Sequence, residues 1–164
     1  MVALTGEELQ AWVEQTAHGW KELLAAHPEV LSFPCDVRET STVAELLQHI
    51  VAVELRYAER LHGMPETPYE EIPFGSGDEI YGTHDQAMAL LRKLQNKDES
   101  FWEEWISFST RKGGSISVSR RRVLVHTLMH SIRHYAQLAT LVRQYDVVPH
   151  WQMDYLFMRP NPQE

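Results

Sequence analysis

From Arg120 to Val148 the chain runs without a glycine or a proline, and within that stretch Leu124, Leu128, Tyr135, Leu138 and Val142 recur at helical spacings. Such a pattern is one face of a long α-helix. Ser119 stands just before it as a candidate N-cap, and Pro149 follows an expected end near Tyr145. A helix of this length cannot bury its own apolar stripe, so other helices must cover it.

The rest of the chain supplies them. Thr5 followed by Glu7 and Glu8 marks a helix start, and Leu9, Trp12, Val13, Thr16, Trp20, Leu23 and Leu24 carry the stripe over 6–26. Ser41, Thr42 and Glu45 form a capping pattern for a second helix that runs to about His62, with Gly63 as its stop. The segment 64–82 reads as a long loop. Thr83 or Asp85 is expected to cap a third helix reaching about Trp105, with an interruption near Asn96-Lys97-Asp98. Between residues 106 and 118 the period changes to two on either side of Arg111-Lys112-Gly113-Gly114, which predicts a short β-hairpin. The apolar tail, with Trp151, Met153, Tyr155, Phe157 and Met158, is expected to pack back on the body or on a second subunit. The expectation is an all-α four-helix bundle in a single domain over 1–164, with a hairpin near 106–118.

Composition excludes several function classes. A formal net charge of -8 opposes a surface built to grip nucleic acid. No segment has the apolar length of a membrane span, and no secretory signal is visible, so a cytoplasmic location is expected. Cys35 is the only cysteine, so a bound metal must rely on imidazole or carboxylate.

His126, His130 and His134 recur every four residues on the last helix. Residues i and i+4 stand about 40° apart on one face, so His130 and His134 can chelate one ion together. On the helical wheel this pair borders the apolar face, whereas His126 lies further towards the polar side. A third ligand must come from another helix, and His49, between Leu46 and Val53 on the second, is the candidate. Three imidazoles with open positions describe a catalytic-type divalent site, nickel or zinc. Ser131 stands where an HExxH motif carries its general base, which excludes a zincin-type peptidase. His18, His27, His62, His84 and His150 read as ordinary surface or core residues.

The run His130-Ser131-Ile132-Arg133-His134-Tyr135-Ala136-Gln137-Leu138 resembles the last-helix motif of the DinB/YfiT-like metalloenzymes. Val43-Ala44-Glu45-Leu46-Leu47-Gln48-His49-Ile50 resembles the segment with that family's first metal histidine, and Asp154-Tyr155-Leu156 its ending. The resemblance spans nearly the whole chain. It implies a bundle, frequently a homodimer, with one divalent ion on His49, His130 and His134. Where such proteins have an assigned activity it involves low-molecular-weight thiols, as in bacillithiol transfer and mycothiol-dependent maleylpyruvate isomerisation. Arg133 is a departure, because many relatives carry a histidine there.

The leading expectation is therefore a metal-dependent transferase that activates a small thiol. A hydrolase using metal-bound water and a non-enzymatic, stress-related metal-binding protein are the alternatives. Arg133 and Gln137 are the expected substrate-binding residues. Arg120, Arg121 and Arg122 are weaker candidates, whose ordinary role is a solvated helix start. Glu54 and Tyr57 are weaker candidates for a pocket wall.

Overall fold

The computed structural model describes residues 4–110 and 113–158. Helix α1 (Gly6–Ala26) opens with a reciprocal capping box. Glu8 N–H donates to Thr5 Oγ1 at 3.1 Å, and Thr5 N–H donates to the Glu8 carboxylate at 2.7 Å. Helix α2 (Val43–Leu61) is capped by Thr42, while the Glu45 carboxylate reaches back to Ser41 N–H. Gly63, at φ +67°, supplies the left-handed turn that ends it.

Helix α3 (Gly77–Arg92) departs from expectation at both ends. Its N-cap is Ser76, about two turns before Thr83, because Ser76 and Glu79 form the pattern that caps it. Glu79 N–H donates to Ser76 Oγ at 3.2 Å, and the Glu79 carboxylate takes Gly75 N–H. Gly77 and Gly82 suggested a loop, yet Gly77 lies against Leu24, and Ile80 and Tyr81 bury completely. At the other end the helix stops at Arg92, and Asp98 caps a separate short helix, α4 (Glu99–Glu103). The helix is thus interrupted around the polar Asn96-Lys97-Asp98 stretch, as expected, whereas Trp105 begins a strand instead of ending a helix.

Strands β1 (Trp105–Thr110) and β2 (Gly114–Ser119) pair antiparallel, with Ile106 opposite Val118 and Phe108 opposite Ile116. The expected turn residues Arg111 and Lys112 lie outside the described residues. Helix α5 (Arg120–Arg143) follows, capped by Ser119 as expected.

The four long helices form a closed ring of contacts, α1 on α3, α3 on α2, α2 on α5 and α5 on α1. Inside it the core is divided. One apolar cluster holds Trp20, Leu47, Tyr81 and Tyr135, and a second holds Leu9, Leu55, Met88 and Leu128. Between them each helix contributes a buried polar residue: Thr16, Glu54, His84 and Ser131. The Glu54 carboxylate accepts from Ser131 Oγ and from His84 Nδ1, both at 2.7 Å. The residues after α5 return across α1: Trp12 Nε1–H donates to the Met153 carbonyl at 2.8 Å, and the Trp151 indole packs against Gly19. Among the described residues no helix is long and apolar enough to cross a membrane.

Candidate metal centre

α2 and α5 lie side by side, and His49 on one faces His130 and His134 on the other. The ring centroids of His49 and His130 are 4.8 Å apart, those of His49 and His134 5.2 Å, and those of His130 and His134 4.4 Å. The Nε2 atoms of His49 and His130 approach to 3.1 Å. One ligand atom from each ring can be chosen so that all lie within 4.8 Å of one another, a group that could hold a metal ion. Metal–nitrogen bonds of about 2.0–2.1 Å place neighbouring ligand nitrogens about 3.0–3.4 Å apart, so the first pair already has the right separation.

The protonation states suit a cation. Gln137 Oε1, which can only accept, lies 2.7 Å from His134 Nδ1. That nitrogen must carry the ring proton, which leaves Nε2 as the ring's acceptor. Nη2 of Arg133 lies 3.3 Å from the same Nε2, in a donor's position. Burial pushes the His130 pKa down to about 2, helped by the neighbouring His134, His49, Arg133 and His126. Its imidazole is therefore neutral at any ordinary pH, the form that binds metal. His130 Nδ1 is buried with no hydrogen-bond partner among the described residues. Burial also lowers the His134 pKa; the Gln137 bond opposes this, and Arg133 and Arg38 reinforce it.

His126 is not part of this group. It is exposed, and its ring sits 5.7 Å from both His130 and Tyr57. Tyr57 does wall the adjoining cavity, which measures about 160 Å³ and is also lined by Arg38, His49, Arg56, Arg60 and Tyr69. Glu54 does not wall it: it is fully buried and turned into the core. The arginine run is structural in part. Arg120 clasps Glu104 and the Leu61 carbonyl, and Arg121 pairs with Glu103 and Glu99. Cys35 is buried, with Thr40 Oγ1 donating to its sulfur.

Arg38 was not legible as a site residue. It lies in a single 3-10 turn, Val37–Glu39, with left-handed backbone at φ 60° and ψ 31°. No periodicity marks such a position, and only the approach of this turn to α2 makes it relevant.

Comparison with known families decides the lineage. A model of the DinB family matches residues 1–163. The chain belongs to the DinB family. No curated protein matches it. Family membership and the three-histidine group agree on a DinB-like protein with a possible metal site, on the helices where the last-helix motif and the α2 segment resemble that family.

Proposed function

We propose that this DinB-family protein is a metal-dependent transferase that activates a low-molecular-weight thiol. The observation that carries the reading is the convergence of three imidazoles, with His130 neutral, His134 presenting its Nε2 and His49 lining an open cavity. His49, His130 and His134 would hold one divalent ion, nickel or zinc, through uncharged nitrogens. Bound there, the ion would stabilise a sulfhydryl as its thiolate and so supply a nucleophile near neutral pH. Gln137 keeps the His134 proton on Nδ1, so the ring cannot turn its N–H towards the ion. Arg133, beside His134, would meet an anionic group of the bound thiol. Tyr57 and Tyr69 would form the wall against which the second substrate packs.

Two of the carboxylates bordering the cavities, Glu66 and Glu45, are engaged elsewhere, which favours thiol activation over a hydrolase that needs a free general base. Glu66 takes both Arg56 and Arg60, and Glu45 takes Ser41 N–H.

Elemental analysis of protein purified without an affinity tag tests the first half of the reading. Close to one equivalent of nickel or zinc per chain is expected, lost in His49→Ala and in His130→Ala. A content below about half an equivalent, unchanged by either substitution, overturns it. The second half is tested by consumption of monobromobimane with a panel of small thiols. Acceleration dependent on the three histidines supports it, and no acceleration with any thiol refutes it.

A further inference from the structure

Gln137 holds the His134 ring in place, but His130 has no comparable support. A metal-binding histidine ordinarily donates its second ring N–H to a neighbour. His130 Nδ1 is buried with no hydrogen-bond partner among the described residues, and its Nε2 faces His49. The place of this ring therefore depends on how α5 itself sits against α2.

That seating has to be tight. With its side chains a helix has a radius of about 5–6 Å, so turning α5 by about 20° about its own axis moves a ring nitrogen by about 2 Å. Metal–nitrogen bonds tolerate deviations of only about 0.2 Å. Apolar burial has no preferred direction, whereas a hydrogen bond does. Two side-chain hydrogen bonds join α2 and α5 away from the histidines. Arg120 donates to the Leu61 carbonyl, but it lies ten residues from His130, about 15 Å along the helix. Ser131 donates to Glu54 Oε1 at 2.7 Å, next to His130 on one helix and five residues from His49 on the other. The Thr127 carbonyl, at 3.3 Å, is the longer alternative for the same hydroxyl. Neither Glu54 nor Ser131 is exposed, so no water is at hand to replace the bond. The carboxylate is braced from behind as well, because its Oε2 takes His84 Nδ1 of α3 at 2.7 Å.

We infer that Glu54 and Ser131 are positioning residues of the candidate metal centre: their bond fixes α5 against α2 so that His130 meets His49 at chelating distance before an ion arrives. The inference rests on the metal-binding half of the proposed function. It also gives a use to the residue standing where HExxH carries its general base, since the Ser131 hydroxyl serves the helix pair and not the ion.

Zinc affinity, measured on folded protein by competition with a chromophoric chelator, tests this together with the visible bands of cobalt(II) in the same site. Ser131→Ala is expected to weaken zinc binding about tenfold and to shift the cobalt bands. Leu9→Ala, which deletes buried core volume on α1, should destabilise the protein at least as much yet leave both readouts unchanged. Glu54→Gln keeps an oxygen for Ser131 and should retain most of the affinity, whereas Glu54→Leu should not. Unchanged zinc affinity in Ser131→Ala, or an equal loss in Leu9→Ala, overturns the proposal. If the natural protein binds no zinc, the metal-binding reading has failed, and nuclear Overhauser contacts between the His49 and His130 rings judge the positioning separately. Their loss in Ser131→Ala but not in Leu9→Ala then supports it, and their persistence in Ser131→Ala refutes it.

Discussion

Ser131 donates to the Glu54 carboxylate across 2.7 Å of the bundle interior, and the residue before it in the chain is His130. A candidate metal ligand and a core anchor are therefore consecutive residues of one helix, about 100° apart around its axis. The same carboxylate accepts from His84, so a single buried anion ties α2, α3 and α5 together at the level of the candidate site.

Removing that anion strands both of its donors. Glu54→Ala is expected to cost about 3–5 kcal/mol, the usual penalty for breaking a buried ion pair by deleting one partner. Combining Glu54→Leu with His84→Phe should recover a good part of this, because two apolar side chains need no partner. Urea denaturation of the single and double variants checks the order. A double variant no more stable than Glu54→Ala would contradict it.

The same pair makes stability depend on pH in a definite direction. Burial opposes a charge on His84, but the Glu54 carboxylate outweighs it and the ring's pKa is raised in the folded state. A raised pKa means that the folded protein holds the proton more tightly than the unfolded chain, whose histidine titrates near about 6.5. The contribution is complete below that value and drains away as pH rises through the folded-state pKa. The stability difference between the natural protein and His84→Gln should therefore shrink on going from about pH 6 to about pH 9. A difference that grows over that range would show that His84 is neutral when folded.

Gln137 acts through His134. Gln137→Ala frees Nδ1 to exchange its proton with Nε2 and lets the ring turn, so metal affinity should fall about 10–100-fold. Gln137→Glu keeps an acceptor in place and should restore most of it. Zinc competition with a chromophoric chelator measures both. Equal affinity in the alanine variant would assign Gln137 to packing alone.

Gly19 presents a case where helix propensity and packing disagree. In an exposed helix interior, glycine to alanine gains about 1 kcal/mol. Here a Cβ would lie 2.2 Å from the Trp151 indole. Gly19→Ala should instead destabilise the protein by about 1–3 kcal/mol and displace the C-terminal segment from α1. A lowered urea midpoint with a changed tryptophan emission is the expected result.

The sequence by itself determined the parts of this protein that depend on local periodicity. The apolar stripes of α1, α2 and α5 announced those helices, and their caps at Thr5, Thr42 and Ser119 were legible because a hydroxyl before a stripe has few other uses. The change to period two announced the hairpin. The choice of His130 and His134 over His126 was also local, since a fixed rotation per residue sets which side chains share a face. α3 was read less well because two glycines obscured a stripe whose burial comes from α1 and α2.

Tertiary structure alone decided what each buried or clustered polar residue does. Glu54 and Tyr57 lie one turn apart on α2, yet one is turned into the core and the other walls the cavity, because α3 and α5 approach the helix from different sides. Arg38 carries no local signature and becomes a cavity residue only because a short turn folds against α2. Periodicity assigns a direction to a side chain; only packing assigns it a partner.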